Sequence, residues 1–413
     1  MRVCKSARLR PKEWHWIHLG RPEAGAAIFR REWVLALGPA EALGRRENMC
    51  LVGALNARIG IIARCDNTGL GVLTVDFFRN LMVQKVLVVP GTQENHLGRF
   101  ANHPGVSVIC PTRVPTPGEI DRFLENVDVV VAFETPYDWN IFMRARQLGI
   151  KTVLIPMYEW TPPNDKIPCY PDLFLCPSRL DYDELPEPKQ YIPTPVNRDI
   201  IPFRLRTQAK KFVFINRKGG FKRRNSLHVL LEVIPLVKSP IEFLIRSQVP
   251  IPPISDTRVS VQMEEVDYEN LWKEGDIYLH LHRWDGLSLP INEAMAAGMP
   301  IIAPNFYPHN EFLPKRLLFP IEATVRECLS EGFREIDVHV ISAWTVAQKI
   351  DEVAMMQEHE IALFSQTVNQ LADERSWSLS RPKFIEILNN LIKSEGRPPI
   401  TLLNHDGAAN PPT

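Results

Sequence analysis

The stretch from Asp276 to Pro304, DIYLHLHRWDGLSLPINEAMAAGMPIIAP, changes character three times over a short span. Ile277 to Leu281 is a β-rich run, Pro290 to Ala297 has the composition of a helix, and Met299 to Ala303 is apolar and extended again. Gly298 suits the end of that helix, and Pro290 suits its first turn, where a missing N–H costs nothing. The loop Gly286-Leu287-Ser288-Leu289 then delivers free backbone N–H groups at the positive end of a helix, a natural seat for phosphate. Asp285 at the strand exit and Glu293, expected in the first helical turn, flank that seat. Two carboxylates repel a bare phosphate, so they are better employed holding sugar hydroxyls on either side of it.

Outward from this stretch, strands and helices alternate. Arg58 to Ala63 reads as a strand, Asp66 to Gly71 as a turn rich in residues that tolerate positive φ, and Val72 to Met82 as a helix. Strands are expected at Lys85–Val89, Val106–Cys110, Val127–Phe133, Lys151–Pro156 and Asp172–Cys176, and helices at Glu119–Glu125 and Tyr137–Leu148. A proline-rich stretch from Leu185 to Pro202 reads as a linker. Beyond it come strands at Phe212–Ile215, Glu242–Ile245, Val259–Gln262 and Leu317–Phe319, and helices at Ser226–Val237, Tyr268–Lys273, Val346–Leu371 and Lys383–Ile392. Such alternation implies doubly wound parallel sheets with sites at the carboxyl ends of their strands. The expected divisions are an extension over 1–55, a first α/β domain over 56–200, a second over 205–375, a terminal helix over 376–394 and a disordered tail over 395–413. Within the first segment, Met49 is an alternative start, and a helical lid using Phe29, Trp33, Leu35 and Leu37 is the competing reading.

DGLSLPINEAMAAGMPIIA resembles the donor-binding signature of the retaining glycosyltransferases of family 4, the "group 1" enzymes with the GT-B fold. That family shows an acidic residue, seven residues, then Glu, with Gly-x-x-Leu-Pro between and Glu-Ala-Met-Ala-x-Gly-x-Pro following. This chain has Asp285 where Glu is commoner, a side chain one methylene shorter. The resemblance implies two Rossmann-like domains facing a cleft, with the terminal helix crossing back to the first. It implies transfer of a sugar from a nucleotide diphosphate sugar, UDP- or GDP-linked, to an acceptor hydroxyl with retention of configuration. The acceptor would be a glycan, a lipid-linked molecule or a small molecule. Glu293 would hold the ribose, and Asp285 the sugar.

Other loops acquire expected roles by the same resemblance. Asn216 to Asn225, NRKGGFKRRN, closes one strand and opens a helix, and the family holds its diphosphate there. Arg217, Lys222 and one or both of Arg223 and Arg224 are the candidates, since cations suit a leaving group that develops negative charge. The turn Gly69-Leu70-Gly71 would face the cleft; a dinucleotide reading of it is weak, because Thr74 replaces a third glycine. Glu134 and Glu159 end two strands on the same side and could meet the sugar or the acceptor hydroxyl; Glu264 and Glu265 lie where the nucleotide base would be bound. Asp181-Tyr182-Asp183 lies beyond its strand, in the linker, and reads as surface; no metal and no cofactor beyond the sugar nucleotide are expected. A sugar-nucleotide-binding protein without turnover, or another GT-B enzyme such as an epimerase or phosphorylase, are the rival readings.

Composition narrows the classes further. Formal net charge is zero, which gives nucleic acid no field to follow. Seven cysteines without metal-ligand spacing suggest reduced thiols and a cytoplasmic setting. No apolar run approaches the roughly 18 residues of a membrane span, which leaves peripheral membrane contact open.

Overall fold

Every strand of the two main sheets runs parallel to its neighbours, which forces each connection to cross over a face and covers both faces with helices. The computed structural model describes residues 57–89, 96–110, 114–157, 159–217, 223–263, 270–328 and 334–394, all within the unit Leu51–Thr413. The expectations for residues 1–55, Lys222, Glu264, Glu265 and the tail lie outside the described residues.

The first sheet holds β1 (Ile59–Ala63), β2 (Lys85–Val88), β3 (Ser107–Ile109), β4 (Val129–Phe133), β5 (Lys151–Ile155), β6 (Leu173–Cys176) and β7 (Lys189–Tyr191). Their order is β3-β2-β1-β4-β5-β6-β7. Its helices are α1 (Gly69–Asn80), α2 (Gly98–Ala101), α3 (Pro117–Leu124) and α4 (Trp139–Gln147). All five residues of β1, β4 and β5 are buried, as a strand covered on both faces requires. Thr116 and Glu119 close a reciprocal capping box at the start of α3.

The second sheet holds β8 (Lys211–Asn216), β9 (Glu242–Ser247), β10 (Val259–Gln262), β11 (Ile277–Leu279), β12 (Ile301–Pro304) and β13 (Leu318–Phe319), in the order β10-β9-β8-β11-β12-β13. With it go α5 (Leu227–Val233), α6 (Leu289–Ala296) and α7 (His309–Phe312). An antiparallel hairpin of β14 (Ala323–Cys328) and β15 (Glu335–Val340) follows, then α8 (Ala343–Ala354), α9 (Glu358–Asp373) and α10 (Trp377–Lys393). The α/β class and the two parallel sheets are as the sequence implies.

Several elements differ from expectation, the short helices α2 and α7 among them, which the sequence reading did not include. β7 lies inside the stretch read as linker, paired to β6 at the sheet edge. The hairpin β14–β15 was not expected. The single helix over 346–371 is two, because Gln357 and Glu360 form a capping box that restarts the chain as α9. α10 runs from Trp377 to Lys393 as one helix, with Pro382 inside it.

The strand order reverses between β1 and β4 in one sheet and between β8 and β11 in the other, leaving a crevice beyond the carboxyl ends of each pair. α6 starts at one of these crevices and ends in a Schellman motif: Met299 N–H reaches Ala294 O at 2.9 Å, and Gly298, with φ +70°, N–H reaches Met295 O at 2.9 Å. α10 carries Trp377, Phe384 and Leu388 into the first-domain core. Phe77 of α1 meets Phe133, Trp377 and Phe384 edge-on, with centroids 5.0, 5.0 and 5.2 Å away.

Phe77→Ala removes the ring on which α1, β4 and α10 converge. It should cost about 3–5 kcal/mol, lowering Tm by roughly 4–7 °C for a unit of this size. Thermal denaturation followed by circular dichroism checks it; a shift under 2 °C would show that α10 does not depend on this contact.

Candidate functional site: the cleft between the two sheets

The second-domain side grows from the ends of β8 and β11. Beyond Leu279 the chain continues His280, Leu281, His282 and turns at Arg283 and Trp284 into Asp285, which is 1% exposed. Its Oδ1 accepts from Arg224, whose guanidinium lies over the Trp284 ring at 4.6 Å. Its Oδ2 lies 2.9 Å from His280 Nε2, 2.9 Å from His282 Nδ1 and 3.4 Å from His309 Nε2, and accepts from the Ser288 hydroxyl. Burial alone would raise this carboxyl, but Arg224 and the two nearer imidazoles hold it well below the usual carboxylate range. Burial pushes His280 far below its ordinary value and His282 down to about 4, so both rings are neutral at physiological pH.

Ser288 adopts φ +53° at the start of α6 and turns its hydroxyl to Asp285 rather than to a helix N–H. The first turn of α6 therefore has no side-chain cap, which leaves N–H groups at this helix start without a side-chain acceptor. Glu293 is the fifth residue of α6, so it lies beyond the first turn, correcting the expectation from sequence. It is 5% exposed; Trp272 Nε1 donates to its Oε2 at 3.3 Å and Arg217 Nη2 lies 3.5 Å from the same atom. Of the alternatives left open by sequence, Arg224 turns inward and Arg223 is exposed. Both oxygens of Asp285 already meet protein groups, Arg224 on one side and the imidazoles and Ser288 on the other.

The first domain supplies the facing wall. Gly71 admits no Cβ, since a methyl there would fall 2.1 Å from the Asp66 carbonyl. A methyl on Gly69 would sit 3.5 Å from Leu289 Cδ1, and Leu70 packs in one cluster with Leu287 and Leu289, so this turn lies against the loop that opens α6. Glu159 is 6% exposed and 3.6 Å from Arg224 Nη1, across the cleft. Its Oε2 occupies the place a side chain at Gly286 would need, at 2.1 Å. Glu134, at φ +63° beyond β4, has its carboxyl pushed up to about 8 by burial and then by the Glu159 charge, with Arg64 and Arg224 opposing. Asp76 of α1 is raised to about 6, chiefly by burial; Asn197 donates to it at 2.9 Å and Glu293 faces it.

The structure thus brings Gly69–Gly71, Glu134 and Glu159 together with Arg217, Arg224, Asp285, Gly286 and Glu293. His280, His282, His309, Trp272, Trp284 and Asp76 were not singled out from sequence. Asp285 also lines a cavity of about 180 Å³ with Trp284, Phe306, Tyr307 and Asn310. Among the described residues, Trp284 Nε1 and Asn310 Oδ1 are buried without a hydrogen-bond partner, two groups left for a polar ligand. The arrangement offers cations and helix N–H groups for an anion, with buried carboxylates for hydroxyls beside it.

No protein-family model and no curated protein matches this chain. Solved structures do. HepE of Anabaena in complex with UDP superposes with a TM-score of 0.62 at 11% identity, covering 81% of this chain and 100% of that one. A glycosyltransferase from Rickettsia africae gives 0.58 at 15%, covering 82% and 100%. Sucrose-phosphate synthase of Thermosynechococcus elongatus gives 0.57 at 12%, covering 82% and 99%. Likeness at such low identity speaks for architecture alone, and that architecture is the GT-B fold, two Rossmann-like domains facing one cleft.

Proposed function

We propose that this protein is a glycosyltransferase that moves a sugar from a UDP- or GDP-linked donor to an acceptor hydroxyl, with retention at the anomeric carbon. The observation that carries the reading is Glu293, buried between Arg217 and Trp272 beside a helix start with no side-chain cap. A carboxylate in that place accepts two hydroxyl hydrogen bonds from a ribose while the adjacent N–H groups and Arg217 hold the diphosphate. Structural neighbours with the same fold include a protein solved with UDP, which supports a nucleotide diphosphate in this cleft. The cavity beside Asp285, with its unpartnered Trp284 and Asn310 groups, suits the transferred sugar.

Charge on the leaving diphosphate grows as the glycosidic bond breaks, and Arg217 is placed to stabilise it more in the transition state than in the ground state. Arg224, already paired with Asp285 and Glu159, sets the shape of the loop more than it binds phosphate. Glu134, with its carboxyl near 8, can hold or release a proton close to neutral pH on the first-domain wall, where an acceptor hydroxyl would lie. No protein nucleophile is assigned; the departing phosphate takes the acceptor proton in a front-face reaction. A binding protein without turnover is the second reading, favoured by the engagement of both Asp285 oxygens with protein groups. No described helix is long and apolar enough to cross a membrane, and a cytoplasmic enzyme acting on a glycan, lipid-linked or small-molecule acceptor is consistent with that.

Nucleotide release from a panel of UDP-, GDP- and ADP-sugars, with and without simple acceptors, separates the two readings: acceptor-stimulated release supports transfer, and binding without release supports the second. Arg217→Ala should weaken UDP or GDP binding by roughly 10- to 150-fold, the worth of a charge-assisted contact of about 1.5–3 kcal/mol. Glu293→Gln should weaken it too, because a neutral amide is a poorer partner for two hydroxyls. Titration calorimetry reads both, and unchanged affinity in both variants would remove the nucleotide from this site.

Glu134 makes a separate prediction. Its carboxyl is raised from 4.5 to about 8, so the folded state holds a proton that the unfolded chain releases. The stability tied to this proton is complete below about pH 4.5 and lost as pH rises through about 8. Glu134→Gln, which cannot ionise, should therefore gain in Tm relative to the parent between pH 5 and pH 9. Parallel Tm-versus-pH curves for the two proteins would place Glu134 in ordinary solvent.

A further inference from the structure

The polar atoms around Asp285 Oδ2 do not balance as a set of hydrogen bonds. Each carboxylate oxygen offers about two lone-pair directions. Four groups converge on this one: His280 Nε2 and His282 Nδ1 at 2.9 Å, His309 Nε2 at 3.4 Å, and the Ser288 hydroxyl. The proton on His309 is also misplaced for donation. Its Nδ1 lies 3.2 Å from the Pro304 carbonyl, which only accepts, so Nδ1 carries the hydrogen. The Nε2 of a neutral His309 then presents a lone pair to a carboxylate, acceptor against acceptor. Protonating the rings instead would crowd several imidazolium charges into a pocket where His280 and His309 are 0% exposed and His282 is 6% exposed.

We propose that His280, His282 and Asp285, with His309 adjacent as a fourth group able to turn in, form a binding site for a divalent transition-metal cation of the zinc class. A cation among the atoms of His280, His282 and Asp285 turns their crowded lone pairs into ligands and gives the Nε2 lone pair of His309 a positive charge to face. The spacing is close to what zinc needs: ligand pairs on a tetrahedral zinc sit about 3.3 Å apart, against 2.9, 2.9 and 3.4 Å to Asp285 Oδ2 here. The ligand atoms of His280, His282 and Asp285 all lie within 4.8 Å of one another. Three imidazoles with one carboxylate favour zinc over magnesium or calcium, which prefer oxygen shells.

The outer partners already fit this role. His309 Nδ1 donates to the Pro304 carbonyl, which fixes the tautomer that frees its Nε2, and His280 Nδ1 meets the Tyr278 hydroxyl at 2.9 Å, which accepts from Nδ1 when Nε2 binds a cation. Arg224 takes the other oxygen of Asp285. The site joins the end of β11 to the loop before α6, and His309 at the start of α7 stands beside it, 3.4 Å from Asp285 Oδ2. Its task is to hold the Gly286–Leu289 loop in place, not to activate water or polarise phosphate. It stands apart from the proposed sugar transfer and can fail without it.

The test uses the full chain without a histidine tag, dialysed against zinc chloride and then against metal-free buffer. Elemental analysis should find about one zinc per chain, and dipicolinate should remove it with a fall in Tm that added zinc reverses. Cobalt substitution should give the visible d–d bands of a tetrahedral site. Tyr278→Phe keeps the ring but loses the hydroxyl that orients His280, and should weaken zinc binding about 10- to 100-fold while the protein stays folded. His309→Gln should weaken it further. The proposal is overturned if the parent protein retains no zinc and its Tm answers neither zinc nor chelator. Zinc that is retained equally by the parent, Tyr278→Phe and His309→Gln overturns it too, since the ion then sits elsewhere. UDP titration of the zinc-free protein reads the nucleotide site independently.

Discussion

An ionised carboxylate that cannot reach water must be met by charge or by donors, and the burial of Asp285 sets that demand at the centre of this molecule. Arg224 answers it on one oxygen, and the same guanidinium is flanked by Trp284 and by Glu159 from the opposite domain. One charge thereby links both walls of the cleft. The need for glycine at 286 follows from it, because Glu159 can approach Arg224 only through the space a Cβ would fill. The coupling passes on to Glu134, where the Glu159 charge adds to burial in keeping the carboxyl protonated. Four residues that sequence assigned to separate loops are in this way parts of one electrostatic arrangement.

The sheets were legible because parallel strands covered on both faces must be apolar along their whole length. β1, β4 and β12 announce themselves as such, and Gly298 and Pro290 punctuate the helix between β11 and β12. β7 carries no such signal. Lys189-Gln190-Tyr191 is short and polar, and becomes a strand only because β6 offers it an edge. The break between α8 and α9 was hidden because Met355 and Met356 continue an apolar pattern across it, while the restart depends on a side-chain hydrogen bond at Gln357.

The site divides along the same line. Asp285, Glu293 and the basic loop were readable from charge type and spacing near a helix start. Their roles were less so: α6 opens at Leu289, which carries Glu293 past the first turn, and only the packed structure distinguishes inward Arg224 from exposed Arg223. The histidines were overlooked because His280 and His282 sit in a β-rich run that reads as strand. A signal was there to use. Residues two apart at a strand exit share a face, and an aspartate three positions later brings a carboxylate back to that face. His309 and Trp272 come from elsewhere in the chain, and no local pattern could have placed them.

The aspartate at 285 itself, where the donor-binding signature it resembles more often has glutamate, now has a physical account. With Oδ2 in contact with two imidazoles at 2.9 Å and a third at 3.4 Å, the carboxylate sits as close to the strand exit as its backbone allows. One more methylene would drive it out of that ring of nitrogens and into the space shared by Arg224 and Glu159. A longer side chain suits a carboxylate that must reach a ligand; a shorter one suits a carboxylate that must hold its own loop. Aspartate and the three histidines are therefore a matched set. The loop that opens α6 owes its shape to them.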